Sequence, residues 1–417
     1  MTRRKKRPGG RHAARSGASG RVTPRGTRPE ERLRLPAAAT DDTDYRLDLL
    51  MGDAAYMVEN HPGMSDLDDV DRWASAVQFE VRSRAAPGGL RAPVVLSRAA
   101  SVGGPSGAAL AAAMAVYGPA DQRDRARRTV ERLTADRGDV PCWIAALGEV
   151  EPVRAVRLTD EWDEYSGLDI DFRRPDAGTH RLRIAINPFR AGMAHPARYF
   201  AAGYDDSQSA IPGFSAEEIS LADARAIAKP SLDALEEVLG DNYDADDDVE
   251  LDAGHDLFAL MRQRIGLLPA GGVARPRPQR SAEEIAAPFG EFAGRPLGYG
   301  EDDDSVYHLM RSLVGFVTSC WDSDPLRWTP PRITAFLEEW LPDNGYYCNG
   351  CRGLHEPPSH EEWLPTFRSA FVRWLRLTAA LGGLPDDARD ANLAAAWESL
   401  KNLERRVTGP GTVFGQL

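Results

Sequence analysis

The sequence predicts an α+β protein that is mostly helical, with one small antiparallel β-sheet in a middle domain. Two patterns predict this fold. Apolar residues recur at helical spacing over most of the chain, and over residues 150–190 they alternate with polar residues, which is the period of a β-strand. A chain of 417 residues exceeds the usual size of one hydrophobic core, so we expect more than one domain.

Helical spacing begins close to the N-terminus. Residues 42–86 predict two helices separated by a His-Pro-Gly turn at residues 61–63, because their apolar residues recur every three or four positions. Residues 105–117 predict a helix of small residues that packs closely on a neighbour, and residues 119–136 predict a charged helix. We therefore expect several helices before the sheet.

Three short segments of the middle region alternate apolar and polar residues. These segments are Val153–Leu158, Leu168–Arg173 and Arg181–Ile186. Turn-forming residues separate them, such as the Pro-Asp-Ala-Gly run at residues 175–178. Period-two patterning with short connections is typical of antiparallel strands, so we expect a sheet of three or four strands.

Helical spacing returns after the sheet. Residues 215–240 predict a helix that begins with a capping box formed by Ser215 and Glu218 and is broken or kinked at Pro230. Further helical segments are residues 257–267, 304–320, 330–341, 359–382 and 386–407. Tryptophans in the C-terminal segments lie on apolar stripes, so we interpret them as core residues.

Composition divides the chain into four parts. Residues 1–41 contain too few bulky apolar residues to bury a core, so we expect disorder there. The Pro/Gly/Arg-rich run at residues 269–280 predicts a domain boundary. The predicted parts are a disordered basic tail at 1–41, an α+β domain at 42–268 with its sheet around 150–190, a Pro/Gly/Arg-rich linker at 269–303 and a C-terminal helical domain at 304–410.

Charge is unevenly distributed along the chain. Residues 1–34 carry a net charge of +10, whereas the whole chain carries −12, so the remaining residues carry −22. An acidic body with a basic tail is not a general nucleic-acid binder. We expect weak, non-specific nucleic-acid contact only through residues 1–34, and an unidentified protein partner for the body.

Composition also excludes several classes of protein. Lys229 and Lys401 are the lysines outside the tail, and neither follows a glycine-rich loop, which excludes a P-loop and a kinase lysine. No run approaches about 18 uninterrupted apolar residues, so we expect no transmembrane segment. Residues 1–34 lack the apolar region of a secretory signal, and four cysteines are not a disulfide framework, so we expect a cytoplasmic protein.

One segment near the C-terminus has the spacing of metal ligands. Cys348, Cys351, His355 and His360 follow the pattern C-x2-C-x3-H-x4-H. A C-x2-C turn presents two thiolates to one tetrahedral ion and two imidazoles complete the set, so the pattern predicts a structural zinc site. The alternative is a glycine-rich loop with incidental thiols and surface histidines, because the spacing is shorter than in a usual zinc finger.

A second group of polar residues is a candidate catalytic site. Asp169 and Asp171 alternate on a predicted strand, as do the paired carboxylates of metal-dependent nucleotidyltransferases, and His180 and His195 flank the next strand. These four side chains could form the polar site of a hydrolase or transferase. The glycine turn that such enzymes need upstream is missing, so the favoured interpretation is a strand with one solvated face.

The C-terminal helices carry a resemblance to a known group of proteins. The segments ITAFLEEWLP (333–342) and WLPTFRSAFVRWLRLTAALGGLP (363–385), with AFVRWL (370–375) in the second, resemble a helical block of uncharacterised actinobacterial proteins. PCWIAALGEVEPV (141–153) and HRLRIAINPF (180–189) look like the strand-containing part of the same proteins. That family has no assigned activity and a shorter, cysteine-free connecting loop, so the resemblance implies no functional residues.

Two functions remain open at this point. We favour a non-catalytic cytoplasmic protein that acts through partners and contains a structural zinc site. The alternative is a hydrolase or transferase that uses the aspartate and histidine group. Convergence of Asp169, Asp171, His180 and His195 in one pocket would favour the enzyme, and scattered positions would favour the non-catalytic protein.

The zinc prediction is tested by elemental analysis of the purified full-length protein. We expect about one zinc ion per chain, and we expect Cys348→Ser to lower this content because it removes one thiolate ligand. Cys142→Ser removes a cysteine outside the spacing pattern and should leave the zinc content unchanged. A purified protein without zinc would assign the segment to an ordinary exposed loop.

Overall fold

The computed structural model describes most of the chain between residues 43 and 408. The described ranges are 43–64, 67–82, 90–135, 140–175, 177–189, 192–201, 204, 210–241, 257–274, 280–296, 303–344 and 360–408. The predicted basic tail at residues 1–41 lies outside this part, so its disorder stays a prediction.

Helices precede the sheet, as predicted. They are α1 (Thr43–Asn60), α2 (Leu67–Arg82), α3 (Ala92–Val102), α4 (Gly104–Tyr117), α5 (Arg123–Thr134) and the short α6 (Trp143–Ala146). Every residue of α4 from Gly107 to Met114 is buried, because small side chains let neighbours approach from all sides. A Cβ atom on Gly107 would lie 2.4 Å from the Ala99 carbonyl oxygen of α3, so this close contact requires glycine.

One antiparallel sheet lies in the middle of the described chain. Its strands are β1 (Glu151–Asp160), β2 (Ser166–Arg174), β3 (Gly178–Asn187), β4 (Met193–Phe200) and β5 (Phe214–Ile219). The strand order is β4-β3-β2-β1-β5, so the chain forms a meander and then returns to add β5 beside β1. Strands β1, β2 and β3 confirm the predicted strands, and the sheet with its helices confirms the predicted α+β class.

The sheet has one apolar face and one charged face. The apolar residues of β2 are Leu168, Ile170 and Phe172, and all three are completely buried. Helix α7 (Leu221–Asp241) contacts four strands and buries its small residues Ala224 and Ala228 in the same apolar cluster. This helix therefore covers the apolar face.

The prediction of a helix over residues 215–240 is wrong at its start. Residues Phe214–Ile219 pair with β1 instead, although their burial does not alternate as in a half-buried strand. Backbone pairing with β1 thus overrides the local capping-box pattern of Ser215 and Glu218.

Helix α7 begins where a different side chain caps it. The Oγ atom of Ser220 accepts a hydrogen bond from the Asp223 amide at 3.1 Å, which satisfies one free backbone donor of the first turn. The helix runs through Pro230 to Asp241, so this proline does not break it, and a kink there stays a prediction.

The remaining helices complete the first apolar cluster and build a second. They are α8 (Phe258–Gly266), α9 (Ala282–Ala293), α10 (Asp303–Ser319), α11 (Pro330–Thr334), a π-helical segment (Ala335–Trp340), α12 (Leu341–Asn344), α13 (His360–Leu381) and α14 (Asp386–Thr408). Helix α8 joins the cluster of the sheet, whereas α9 to α14 surround an aromatic core that includes Trp328, Phe336 and Trp374. The predicted C-terminal helices and the core interpretation of Trp374 are confirmed.

The predicted linker at residues 269–303 contains helix α9 and is wrong over that part. Ser281 and Glu284 form a capping box at its start, with each side chain bonded to the other residue's amide. The ring of Phe289 stacks on Trp374 with 4.6 Å between ring centroids. Helix α9 therefore belongs to the C-terminal cluster, because its apolar side chains pack there rather than remaining in solvent.

The two apolar clusters meet at one end of the sheet. Glu164, in the turn between β1 and β2, accepts hydrogen bonds from Arg327 at 3.0 Å and from Arg332 at 3.2 Å. Asp322 pairs with the same Arg332 guanidinium at 2.9 Å. The turn after β3 places Phe189 in the C-terminal cluster. A buried ion-pair network and one aromatic side chain thus join the clusters.

A buried carboxylate joins the N-terminal helices to the sheet. One oxygen of Asp71 on α2 accepts hydrogen bonds from Arg174, at the end of β2, and from Arg264 on α8. Its other oxygen accepts a hydrogen bond from the Tyr117 hydroxyl at 2.5 Å. Burial and the charge of Asp71 raise the pKa of Tyr117 well above its ordinary value, so the phenol stays a donor. Asp71 is completely buried and connects four elements.

We expect Asp71→Asn to be strongly destabilising. The substitution leaves two buried guanidinium groups with too little negative charge, and breaking a buried ion pair in this way costs about 3–5 kcal/mol of unfolding free energy. Urea denaturation followed by circular dichroism measures this loss. Asp124→Asn removes an exposed carboxylate paired with Arg127 and should cost less than about 1 kcal/mol. Equal losses in the two variants would contradict the role given to Asp71.

Candidate functional site

The charged face of the sheet carries the two aspartates that the sequence singles out. The Arg183 guanidinium donates to both oxygens of Asp169, at 2.6 and 2.7 Å. The Arg181 guanidinium donates to both oxygens of Asp171, at 2.6 and 2.9 Å. The hydroxyl of Tyr204 adds a third hydrogen bond to Asp171 at 2.7 Å. Both carboxylates are therefore held in bidentate ion pairs.

The prediction that this face of the strand is solvated is wrong. Asp169 is 3% exposed and Asp171 is 6% exposed, because the paired arginines and Tyr204 cover them. A divalent ion at these oxygens would have to displace two guanidinium groups, which already neutralise the carboxylate charge. The arrangement stabilises the sheet through charge pairing and does not offer an open metal site.

His180 lies on the opposite face of the sheet from these aspartates. Its ring stacks between Phe172 and Tyr199, with centroid distances of 5.7 and 5.1 Å. Burial, with the nearby charges of Arg264 and Arg174, lowers the pKa of His180 to about 2, so the ring is neutral. Both ring nitrogens lack a hydrogen-bond partner among the described residues.

The four residues of the predicted polar site are not assembled by the described structure. Asp169 and Asp171 share a face with Arg181 and Arg183, their partners in strand register, whereas His180 is opposite Phe172 on the apolar face. His195 lies on β4 opposite Ala185, and its side chain lies outside the described part.

The predicted zinc ligands lie almost entirely outside the described residues. Cys348, Cys351 and His355 fall in the undescribed segment at residues 345–359, and His360 begins α13 with its side chain undescribed. The zinc site therefore stays a prediction. Within the described ranges no group of three or more His, Cys, Asp or Glu side chains is arranged to hold a metal ion.

Helix α5 carries an unusual density of arginine. Its twelve residues, RDRARRTVERLT, include five arginines and bury only Ala126 and Thr129. Arg125, Arg128 and Arg132 are spaced by three and four positions, so they project from one side of the helix. This side faces α3.

A groove lies between α3 and this side of α5. Its volume is about 640 Å³, and its lining residues are Leu96, Ser97, Ala100, Ser101, Arg125, Arg128, Thr129 and Arg132. We call it the basic groove. Arg125 donates to the Ser97 hydroxyl at 3.3 Å, and none of the three arginines is paired with a carboxylate of the described residues. The groove thus contains three guanidinium groups and no lining acid.

Guanidinium groups in this arrangement favour oxyanion ligands. Each presents a planar set of donors that matches phosphate oxygens, and the positive field grows where no carboxylate neutralises it. Sequence reasoning identified α5 only as a charged helix and missed this site. The sequence feature that could have indicated this site is the spacing of three arginines on one face of α5. The opposing wall of the groove comes from α3, a helix that was not predicted from the sequence.

No protein-family model, curated protein or solved structure matches this chain. Among the described residues, no helix is both long and apolar enough to cross a membrane.

The buried state of His180 predicts a specific dependence of stability on pH. The unfolded chain protonates this imidazole near pH 6.5, whereas the folded protein resists protonation until about pH 2. Below about pH 6 the unfolded state binds more protons, so His180 lowers the unfolding free energy by about 1.4 kcal/mol for each pH unit.

We therefore expect His180→Phe, which keeps an aromatic ring in the stack, to reduce the loss of stability between pH 6.5 and 5. Urea denaturation at a series of pH values measures the slope. His308→Phe, at a partly exposed histidine of α10, is the matched control and should keep the slope that His180 produces. An unchanged slope in His180→Phe would mean that the imidazole is protonated in the folded protein.

Proposed function

We propose that this is a non-catalytic cytoplasmic protein that binds the phosphate backbone of nucleic acid through the basic groove. The observation that carries the proposal is the convergence of Arg125, Arg128 and Arg132 in a groove without a lining carboxylate. Arginine binds phosphate in bidentate geometry, and contacts to phosphates supply most of the affinity of non-specific nucleic-acid binding.

The charge distribution supports one binding face. Outside residues 1–34 the chain carries a net charge of −22, which repels a polyanion from most of its surface. The arginines of α5 are a local exception, which the expectation of contact only through residues 1–34 did not include, so a phosphate backbone is attracted to this helix and repelled elsewhere. Such a segregated field favours one orientation of the ligand.

The basic tail precedes, in sequence, a helix that contacts one wall of the basic groove. Residues 1–34 carry +10, and they precede α1, whose first residue is Thr43. Asp48 of α1 forms an ion pair with Arg98 of α3, the helix that provides the other wall of the groove. Thr43 is five residues from Asp48, about 8 Å along the helix axis. Helix α1, which follows the basic tail in sequence, is therefore paired with the helix that forms one wall of the basic groove.

The remaining chemistry favours a binding protein rather than an enzyme. Asp169 and Asp171 are neutralised by arginine, and the buried His180 is on the other face of the sheet. A closed set of two cysteines and two histidines would make the proposed zinc site structural, because no position is left for a substrate. The described cysteines, Cys142 and Cys320, are free thiols, which suits a reducing compartment.

Substitution of the three arginines tests the proposal. We expect the full-length Arg125→Gln, Arg128→Gln, Arg132→Gln triple variant to bind a fluorescently labelled DNA duplex at least about tenfold more weakly than the parent protein at low salt. The slope of log affinity against log salt should fall by up to about 3, since each lost phosphate contact contributes about 0.9. Fluorescence anisotropy at several salt concentrations measures both quantities.

A charge-matched control separates the groove from general electrostatics. Arg311, Arg376 and Arg405 are exposed on the C-terminal helices, and replacing them with Gln changes the net charge by the same amount. Replacement of the basic residues at positions 3–7 with Gln measures the share of the tail. If the groove variant binds as well as the C-terminal control, or if binding is insensitive to salt, the proposal is wrong.

A further inference from the structure

A second pocket lies on the other side of α5 and has a different character. It is a half-open depression lined by α4, α5, α6 with the turn after it, and α8, and its volume is about 740 Å³. This volume is within the range of about 300–1,000 Å³ that is typical of small-molecule sites. We call it the α5–α8 pocket. None of its lining residues belongs to the basic groove.

Apolar side chains make up about half of the lining of the α5–α8 pocket. The apolar lining residues are Ala112, Ala115, Val116, Ala120, Val130, Ile144, Ala145, Leu147 and Leu267. Gly148 keeps one wall close to the next, because a Cβ atom there would lie 2.6 Å from a methyl carbon of Val116. The Gly148 carbonyl also accepts a hydrogen bond from Gln263 of α8 at 3.3 Å. The close contact between Gly148 and Val116 and the hydrogen bond from Gln263 therefore fix the position of this wall.

Three arginines and two glutamates also line this pocket. Arg123, Arg127 and Arg262 line it, from α5 and α8. Arg127 is paired with the exposed Asp124, and Arg262 is paired with Glu236 at 3.0 Å.

Arg123 differs from the other two arginines in its partner. Its Nε atom donates to the Gly118 carbonyl at 2.8 Å, and no carboxylate of the described residues pairs with it. Burial, followed by repulsion from Arg262 and Arg127, lowers the pKa of Arg123. Two exposed carboxylates, Glu131 and Glu149, also line the pocket, and neither forms an ion pair with these arginines among the described residues.

We propose that the α5–α8 pocket binds a small organic anion whose apolar body occupies the alanine- and valine-lined interior and whose carboxylate, sulfonate or phosphate headgroup pairs with Arg123. An inorganic anion would leave the apolar interior unused, and an uncharged apolar ligand would leave Arg123 without a counter-ion in a partly desolvated position. This inference goes beyond the nucleic-acid proposal, because it uses a separate pocket and separate residues.

A pair of fluorescent probes tests both halves of this site. The anionic probe is 8-anilinonaphthalene-1-sulfonate, and N-phenyl-1-naphthylamine is its counterpart without the sulfonate. We expect Arg123→Gln in the full-length protein to weaken the sulfonate probe about tenfold, the loss expected for one charge-assisted hydrogen bond, and to leave the uncharged probe within about twofold. Ala115→Phe fills the interior and should weaken both probes.

Two further variants keep the test decisive. If Arg123→Gln proves unstable, Arg127→Gln takes its place in the test. It removes an exposed positive charge from the same rim, so it should also weaken the sulfonate probe selectively. Arg376→Gln removes an exposed arginine of α13 and should affect neither probe. The proposal is overturned if the rim variants bind the sulfonate probe as Arg376→Gln does, or if Ala115→Phe leaves both affinities unchanged. The triple variant of the basic groove should retain probe binding, so the two proposals fail independently.

Discussion

The neutralisation of two buried guanidinium groups by one carboxylate constrains the whole N-terminal part of the molecule. Because Asp71 must contact both Arg174 and Arg264, helix α2, the end of β2 and helix α8 have fixed relative positions. Tyr117 extends the same contact to the end of α4. Arg262 is two residues before Arg264 on α8, so the carboxylate that organises the core also sets one cationic rim residue of the α5–α8 pocket.

Helix α5 depends on this constraint, although it contributes no side chain to the ion-pair group around Asp71. It buries only Ala126 and Thr129, and it packs along α4 and, more lightly, α3. Ala126 belongs to the first apolar cluster and Val130 and Leu133 pack against it, so the helix takes its position from neighbours that Asp71 holds in place. Its arginines line two separate openings. Arg125 lines the basic groove, and Arg123 lines the α5–α8 pocket.

The elements with local signals could be predicted from the sequence, and those that depend on distant partners could not. Strands β1 to β3 alternate in hydrophobicity, and the C-terminal helices repeat apolar residues every three or four positions, so both were predicted. Strand β5 exists because β1 offers it a partner, which no local pattern reports. The burial of Asp169 depends on Arg183, which is fourteen residues away and on another strand. The basic groove joins Ser97 to Arg125 across 28 residues, between a missed helix and a predicted one.

The distribution of ion pairs separates structural arginine from arginine available for binding. The chain has 63 acidic and 51 basic residues, so enough carboxylates exist to pair with every arginine. The deeply buried arginines, among them Arg181, Arg264 and Arg332, are indeed paired, because an unpaired buried charge is too costly to maintain. On α5, three arginines converge without an acid of the described chain between them, and their mutual repulsion lowers stability rather than raising it. Under the proposed function, the phosphates of a bound nucleic acid compensate this cluster.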